Sequence, residues 1–503
     1  MNTNSICVIR NGEIIPLAHI PLISISEFRD TVIEKVASGA RISAFWGQQS
    51  GKAVRLFAIL AQDKYATLAL LSTEVESSYP SLTPNCVQAH WFEREIAEQW
   101  SVTPTGHPWL KPIRFHPSYR TGRDPSAVTG EQIGLTDFFQ VGGAEIHEVA
   151  VCPVHAGIIE PGHFRFQCHG ENVYHLEISL GYQHRGIERG LMEQPAKRRI
   201  HLIECSAGDT TIGHATAYCH AIEALSGCQA PARAVFLRGI ALELERLANH
   251  TGDLGALAGD VGYLPSMSYC GRIRGDFLNA TALLCGSRFG RGLIRPGGIS
   301  LDVDESRVKE LLRHLNKASE DVTEAVELMF DSPSVLARFE GTGEITPQTC
   351  RDLGLVGPMA RACGERLDVR HDFPNGIFRF SQIPISTWHT GDVFSRALVR
   401  WLEMQRSIQF IRDQLNMIPD TGLRTEIGSL PPDTLAVSMV EGWRGEICHI
   451  ATTDQQGELT HYKIIDPSFH NWFGLAIALR GQQISDFPLC NKSANLSYCG
   501  HDL

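Results

Sequence analysis

The sequence predicts an α+β protein: a small N-terminal α/β domain followed by a mainly helical domain with small antiparallel sheets. Three observations predict it. Apolar residues alternate with polar ones in short stretches at 6–9, 66–71 and 86–90, the period of a half-buried strand. Helical spacing of apolar positions then takes over at 215–225, 232–250, 304–331 and 391–416. Alternation returns at 441–463, through a turn at Asp454-Gln-Gln-Gly457. A chain of 503 residues is too long for one ordinary core. It divides into a first domain at 1–130, a linker at 131–144 and a second domain at 145–503. Pro117, Gly122, Pro125, Gly130, Gly142 and Gly143 punctuate the approach to that boundary.

In the first domain, 25–38 and 91–99 read as amphipathic helices between the strands. Gly47-Gln-Gln-Ser-Gly51-Lys52 has the look of a phosphate loop, but one residue is missing between its glycines. Ala53 also stands where a magnesium-binding Ser or Thr belongs, so a hairpin turn is the better reading. In the second domain, Glu160-Pro-Gly-His-Phe-Arg-Phe166 and 171–181 read as a small antiparallel sheet at its entrance. Gly181-Tyr-Gln-His-Arg-Gly-Ile-Glu188 leads into a helical section. Pro231 opens the helix at 232–250, whose Phe236, Ile240, Leu244 and Leu247 form an apolar stripe. Glu243, Glu245 and Arg246 on that helix read as a solvated or subunit-facing edge.

Composition excludes several classes. A net charge of −11 argues against a nucleic-acid binder. No apolar run approaches the roughly 18–20 residues of a membrane span, and the first ten residues lack a secretory signal. The chain is therefore expected to be cytoplasmic or attached to something that is membrane-bound. The 14 cysteines form no C-x-x-C pair, so zinc ribbons and standard iron–sulfur sites have no support. They read as reduced, mostly buried small hydrophobes.

Several motifs carry a resemblance. Trp91-Phe-Glu-Arg-Glu-Ile96 followed by Gly106-His-Pro-Trp-Leu-Lys-Pro-Ile113 resembles the end of the complex I 30-kDa-type subunit, a clamp without cofactor. The second domain is similar to the family joining the complex I 49-kDa-type subunit with group 4 nickel–iron hydrogenase large subunits of the formate hydrogenlyase type. Its Gly181 to Glu188 motif, Leu242-Glu-x-Glu-Arg-Leu-x-Asn-His250, Arg295-Pro-Gly-Gly298, Gly354-Leu-Val-Gly-Pro358, Asp368-Val-Arg370 and Glu441-Gly-Trp-Arg-Gly-Glu446 occur in the family's order. The resemblance implies a helical core with small sheets and does not by itself settle function.

The same resemblance places the family's chemistry at two short stretches. Aligned on Gly208 and His214, the first Cys-Gly-x-Cys-x-x-x-His motif puts its cysteines on Ala207 and Thr210. The second, at the chain's end, puts them on Ser497 and Gly500; Asp466-Pro467-Ser468 belongs to an earlier family segment. Alanine and glycine offer no donor, and alcohols stay protonated near neutral pH, so four soft thiolates are lost and nickel is expected to be absent. The ending at Leu503, without a further extension, is what a metal-free relative would show. Cys205 and Cys499 lie beside the lost positions; they read as structural thiols, a two-thiolate site for another metal or a redox disulfide being the alternatives. In the quinone-reducing relatives, a His and a Tyr bind the head group; their positions here are Ile159 and Gly208, while His155 and His214 remain nearby as proton donors. Glu160 resembles a glutamate that starts the family's proton path. Arg444, Arg185, Glu188 and Glu441 belong to family motifs. Two tasks fit these charges: a proton path or acceptor pocket, or a buried ion-pair network that fixes the fold. The implied assembly contains an iron–sulfur small subunit with a 4Fe–4S cluster and antiporter-like membrane subunits. This chain itself is expected to carry no cofactor, to dock that small subunit and to couple it to the membrane. The enzymatic alternative passes electrons to a quinone or another acceptor, and a purely structural coupling role is the third reading.

Overall fold

The computed structural model describes residues 6–120, 122, 136–151, 153–154 and 160–503. The protein is mixed α+β with several small antiparallel sheets. The first is four-stranded, in the order Cys7–Ile9, Thr67–Val75, Ala53–Gln62 and Arg41–Ser50. The Gly47–Lys52 stretch is the hairpin between its last two strands, turned by Gly51 at φ +56°, where a residue without Cβ is at ease. Helix Ile25–Ala37 covers the sheet with Phe28 and Val32, and Ser24 Oγ accepts the N–H of Glu27 at its start.

The expected strand at 86–90 is absent. A single 3-10 turn, Val87–Ala89, runs into helix His90–Trp100 instead. The backbone N–H groups of Asn85 and Cys86 both bond Leu82 O, so the chain is already turning. Helix His90–Trp100 is also not amphipathic in place: all eleven residues are buried. That is tolerable because each glutamate is bonded. Glu93 accepts from the Ser81 and Thr83 hydroxyls, Glu95 pairs with Arg114 and Lys463, and Glu98 accepts the N–H groups of Ile113, Arg114 and His116.

A three-stranded sheet follows, with His163–His169 between Asn172–Ser179 and Ile146–Val151. Helices Ile187–Glu193, Ala196–Ile203 and Thr211–Ser226 lead to the long helix Ala232–Asp260. This last runs ten residues past the expected end, through Gly252, Gly255 and Gly259. Those glycines are a contact surface: a Cβ at 255 would lie 2.7 Å from Cys270 Cβ, and one at 259 would lie 2.8 Å from Met267 Sδ. They admit helix Leu264–Cys285, which the sequence does not announce because its Ser, Gly and Arg residues dilute the apolar stripe. Helices Glu305–Phe330 and Val393–Leu415 complete the bundle.

The last sheet has the order Leu459–Ile465, Gly445–Thr453, Thr434–Gly442, Ile14–Pro16. Both inner strands are buried along their whole length, as strands covered on two faces are. A strand from the N-terminal end thus completes a sheet of the C-terminal segment, across the expected boundary.

Glu243, Glu245 and Arg246 do not form a solvated edge. All are buried, and Glu243 and Arg246 belong to a closed network. Arg246 meets Glu243 at 3.1 Å and Glu403 at 3.4 Å; Arg361 meets Glu403 at 2.7 Å and Glu441 at 2.8 Å. Arg370 meets Glu243 at 3.0 Å and Asp368 at 2.6 Å, and His250 bonds Glu403 at 2.9 Å. Helical spacing put these charges on one face; the bundle put that face inside.

Candidate functional site

The loop at 204–210 leads into helix Thr211–Ser226. Thr210 does not cap that helix with its own hydroxyl. Glu245 of the long helix does so, accepting the N–H groups of Ile212 at 2.7 Å and Gly213 at 3.1 Å. Burial outweighs these bonds and pushes the Glu245 carboxyl up to about 8. At the other end of the chain, Asn495 takes a left-handed φ of +43° and closes one helix. Ser497 Oγ then accepts the N–H of Gly500 at 2.9 Å and opens helix Tyr498–Asp502.

Two arginines draw these stretches together. Arg444 grips the Asp209 carboxylate with both terminal nitrogens at 2.6 and 2.7 Å, while its Nε donates to Asn495 O at 2.5 Å. It stacks 3.9 Å over Trp443, whose Nε1 donates to Thr210 Oγ1 at 3.1 Å. Arg185 donates to the carbonyls of Cys205 at 2.5 Å, Ser206 at 2.9 Å and Cys499 at 3.1 Å. The four positions named from sequence, Ala207, Thr210, Ser497 and Gly500, are all buried in this junction.

Their chemistry does not fit a nickel–iron centre. Ala207 presents a methyl group. The hydroxyls of Thr210 and Ser497 are engaged with Trp443 and the Gly500 N–H. At Gly500 the space of a side chain is filled: a Cβ would lie 2.7 Å from the Asp466 carboxyl carbon. Among the described residues, no three His, Cys, Asp or Glu side chains converge as a metal-holding group. Cys499 is buried, and burial, with Glu160 beside it, pushes its thiol up to about 11; Cys205 is half-buried.

Asp466 also anchors a buried chain of hydrogen bonds. His214 Nε2 lies 3.0 Å from Asp466 Oδ2, His214 Nδ1 lies 3.0 Å from His449 Nε2, and His449 Nδ1 lies 2.8 Å from the Tyr462 hydroxyl. Burial alone would raise the Asp466 pKa, but the bond from His214 and the charge of Arg444 hold it below the usual carboxylate range. Burial, then His214, holds His449 well below the usual imidazole value, so it is neutral. With Asp466 ionised, it accepts from His214 Nε2–H. Both His214 nitrogens are engaged, leaving none for a ligand in this arrangement.

The other residues named from sequence fall in three places. Glu160 is half-buried and accepts the Tyr498 N–H at 3.2 Å, beside the junction. Glu188 accepts the Ile464 N–H at 2.9 Å and meets Lys463 at 3.0 Å, on the edge of a 370 Å³ cavity shared with His461 and Tyr119. Glu441 accepts from Arg361 and from the Val369 N–H within the closed ion network. Burial is the main reason its carboxyl is pushed up to about 7, against the pull of Arg361. His155 and Ile159 lie outside the described residues. Sequence reasoning missed Asp209, Trp443, His449 and Tyr462, and it placed Asp466 outside the site. Only Asp466 left a local trace, as the Asp-Pro-Ser start of helix Pro467–Ala478, where it accepts the Ser468 N–H.

Known proteins resemble this chain along most of its length. Residues 260–430 match the family described as "Respiratory-chain NADH dehydrogenase, 49 Kd subunit", and residues 32–125 match its "30 Kd subunit". Hydrogenase-4 component G of Escherichia coli is 30% identical over 433 residues, covering 84% of this chain and 75% of that protein. Formate hydrogenlyase subunit 5 of the same organism is 29% identical over 488 residues, covering 92% and 84%. NADH-quinone oxidoreductase subunit 4 of Thermus thermophilus is 31% identical over 345 residues, covering 63% and 84%.

Proposed function

This chain belongs to the group 4 hydrogenase and complex I family, and we propose that within it the protein is a nickel-free large subunit of a membrane-associated redox complex. It docks an iron–sulfur subunit carrying a 4Fe–4S cluster beside the 204–214 stretch and couples that subunit to antiporter-like membrane subunits. Residues 1–130 act as the 30-kDa-type clamp and 145–503 as the large-subunit body. Attachment to the inner face of the membrane runs through partners; among the described residues, no helix is long and apolar enough to cross a membrane.

One observation carries this reading. At Gly500 the Asp466 carboxylate stands where a ligand side chain would start, and Arg444 and Arg185 hold together loops that a metal centre would otherwise tie. A guanidinium bonded across two loops does the mechanical work of a cation with neither redox chemistry nor thiolates. The engaged nitrogens of His214, and glycine at 208, weigh for coupling over reduction of a quinone by these residues. The test is metal, subunit and small-molecule analysis of the intact assembly. Iron without stoichiometric nickel, in a complex that includes membrane subunits, is the expected result. One nickel per chain, or hydrogen-dependent dye reduction, overturns the proposal; co-purified quinone moves it to the enzymatic alternative.

A further inference from the structure

We propose that the cavity between the N-terminal segment and the C-terminal end of helix Thr211–Ser226 is a binding site for a nucleoside diphosphate. It measures about 850 Å³, within the range of small-molecule sites. It lies toward the opposite end of that helix from the junction, at His220, Glu223 and Ala224. Its other walls include 10–13 and 65–66 of the N-terminal segment and the stretch 373–380.

These walls are held in place without a ligand. Asn11 donates to Phe373 O at 2.8 Å and to Met439 O at 3.0 Å, and accepts the Met439 N–H at 2.8 Å. Asn375 donates to Met439 O at 2.6 Å, and the Gly12 N–H donates to Val437 O at 3.0 Å. Two loops from distant parts of the chain are thus moored to one buried strand, Thr434–Gly442. One charged pair in the lining is already satisfied. Arg238 meets Glu223 at 2.6 Å and also donates to Arg295 O and Gly298 O, while Glu223 accepts the Gly297 N–H.

The groups left over define the ligand. Arg10 and Arg379 line the cavity from different loops and are exposed; among the described residues, neither guanidinium is paired with a carboxylate. Glu13 accepts the Arg10 N–H and so stays with its own turn. The lining holds three arginines against two glutamates, in a chain whose net charge is −11. A cationic hollow in an acidic protein selects an anion. Two separate guanidiniums, each able to make paired bonds to oxyanions, suit a diphosphate better than a single carboxylate. Tyr65 and Phe380 line the same cavity while 75% and 82% exposed, so their ring faces are open to a nucleobase. The Arg379 guanidinium lies 6.0 Å from the centre of the Phe380 ring, which puts charge and stacking face side by side. His220 adds a polar contact. Its Nδ1 is enclosed without a partner, and burial pushes the ring down to about 4, so it is neutral and offers one donor and one acceptor.

Cys228 makes the site readable. It is a free, half-buried thiol in the lining of the cavity, whereas Cys205, equally free and half-buried, belongs to the junction. The test measures alkylation of both by N-ethylmaleimide in the full-length chain, peptide by peptide, with ADP, GDP or UDP present. At about ten times its Kd, at least one of the three should slow Cys228 about tenfold and leave Cys205 unchanged. Arg10→Gln and Arg379→Gln, both at exposed positions, should each weaken that protection about tenfold, the loss expected of one charged hydrogen bond. Phe380→Ala should weaken the nucleotide but not pyrophosphate. No protection of Cys228 by any of the three at millimolar concentration, equal protection by pyrophosphate alone, or protection unmoved in both arginine variants overturns the proposal. None of these readouts depends on nickel or on partner subunits, so failure here leaves the reading of the emptied metal positions standing.

Discussion

Two charged regions of this molecule use arginine in different ways. At the junction of 204–210 with 495–500, Arg444 and Arg185 direct most of their hydrogen bonds to main-chain carbonyls, and the one carboxylate gripped there is that of Asp209. In the closed network, three guanidiniums face four carboxylates, those of Glu243, Asp368, Glu403 and Glu441. The first arrangement holds backbone; the second holds charge, with one acid in excess. Buried charges must be partnered; the network uses carbonyls too, Arg246 donating to Glu441 O and Gly442 O and Arg361 to Leu367 O, but its guanidiniums are outnumbered by carboxylates. The junction is therefore a clasp, and the network a charge store inside the bundle.

The largest expected effect comes from breaking the network. Arg361→Met leaves Glu441 buried without its guanidinium and Glu403 with only the longer contact to Arg246, and should cost about 3–5 kcal/mol in a urea melt. A cost below that of a surface mutation would mean the network is not closed in solution. Arg444→Met comes next. It frees Asn495 O and the Asp209 carboxylate, which is itself one-third exposed, so a loss of about 2 kcal/mol is expected from charged hydrogen bonds of this kind. Hydrogen exchange should rise first at 204–210 and 495–500; protection unchanged at both would break the comparison. Gly500→Ala drives a methyl group into Asp466 and should cost about 1–3 kcal/mol through overpacking. A neutral Gly500→Ala would show that Asp466 can withdraw, and the room for a ligand would reopen.

The smallest effect, and the most specific, is a slope. Glu441 has its folded pKa raised to about 7 from an ordinary 4.5. The folded state therefore binds the extra proton, and the stability this lends is full below about 4.5 and lost as pH rises through about 7. Glu441→Gln should flatten the decline in stability between those values while changing little at the acid end. An unchanged slope would assign the odd proton to another member of the network.

Much of the fold was legible because local periodicity and tertiary burial agreed. Helices at 25–38, 215–225 and 304–331 fall where the apolar spacing put them. Agreement failed where small residues carried the contact. The helix expected at 232–250 runs on through Gly252, Gly255 and Gly259, which in the structure are the groove that receives the next one. Charge was misplaced for a related reason: spacing locates a face, and only packing decides whether that face meets water, as Glu243 and Arg246 show. At the site, motifs located the four emptied positions. They could not reveal Asp466 or His449, whose bonds to His214 span 252 and 235 residues of chain and leave no local pattern.

The strand Ile14–Pro16 has a consequence for how this protein can be made. Its pairing with Thr434–Gly442 lays a segment near the start of the chain against one more than 400 residues later. Were residues 1–130 and 145–503 expressed as two molecules, the shorter piece would carry away the outermost rung of the other's sheet. A bare row of amides and carbonyls, the sort that recruits strangers, would be left behind. Fusion here does more than tether: it guarantees one partner per partner, delivered at the moment of synthesis.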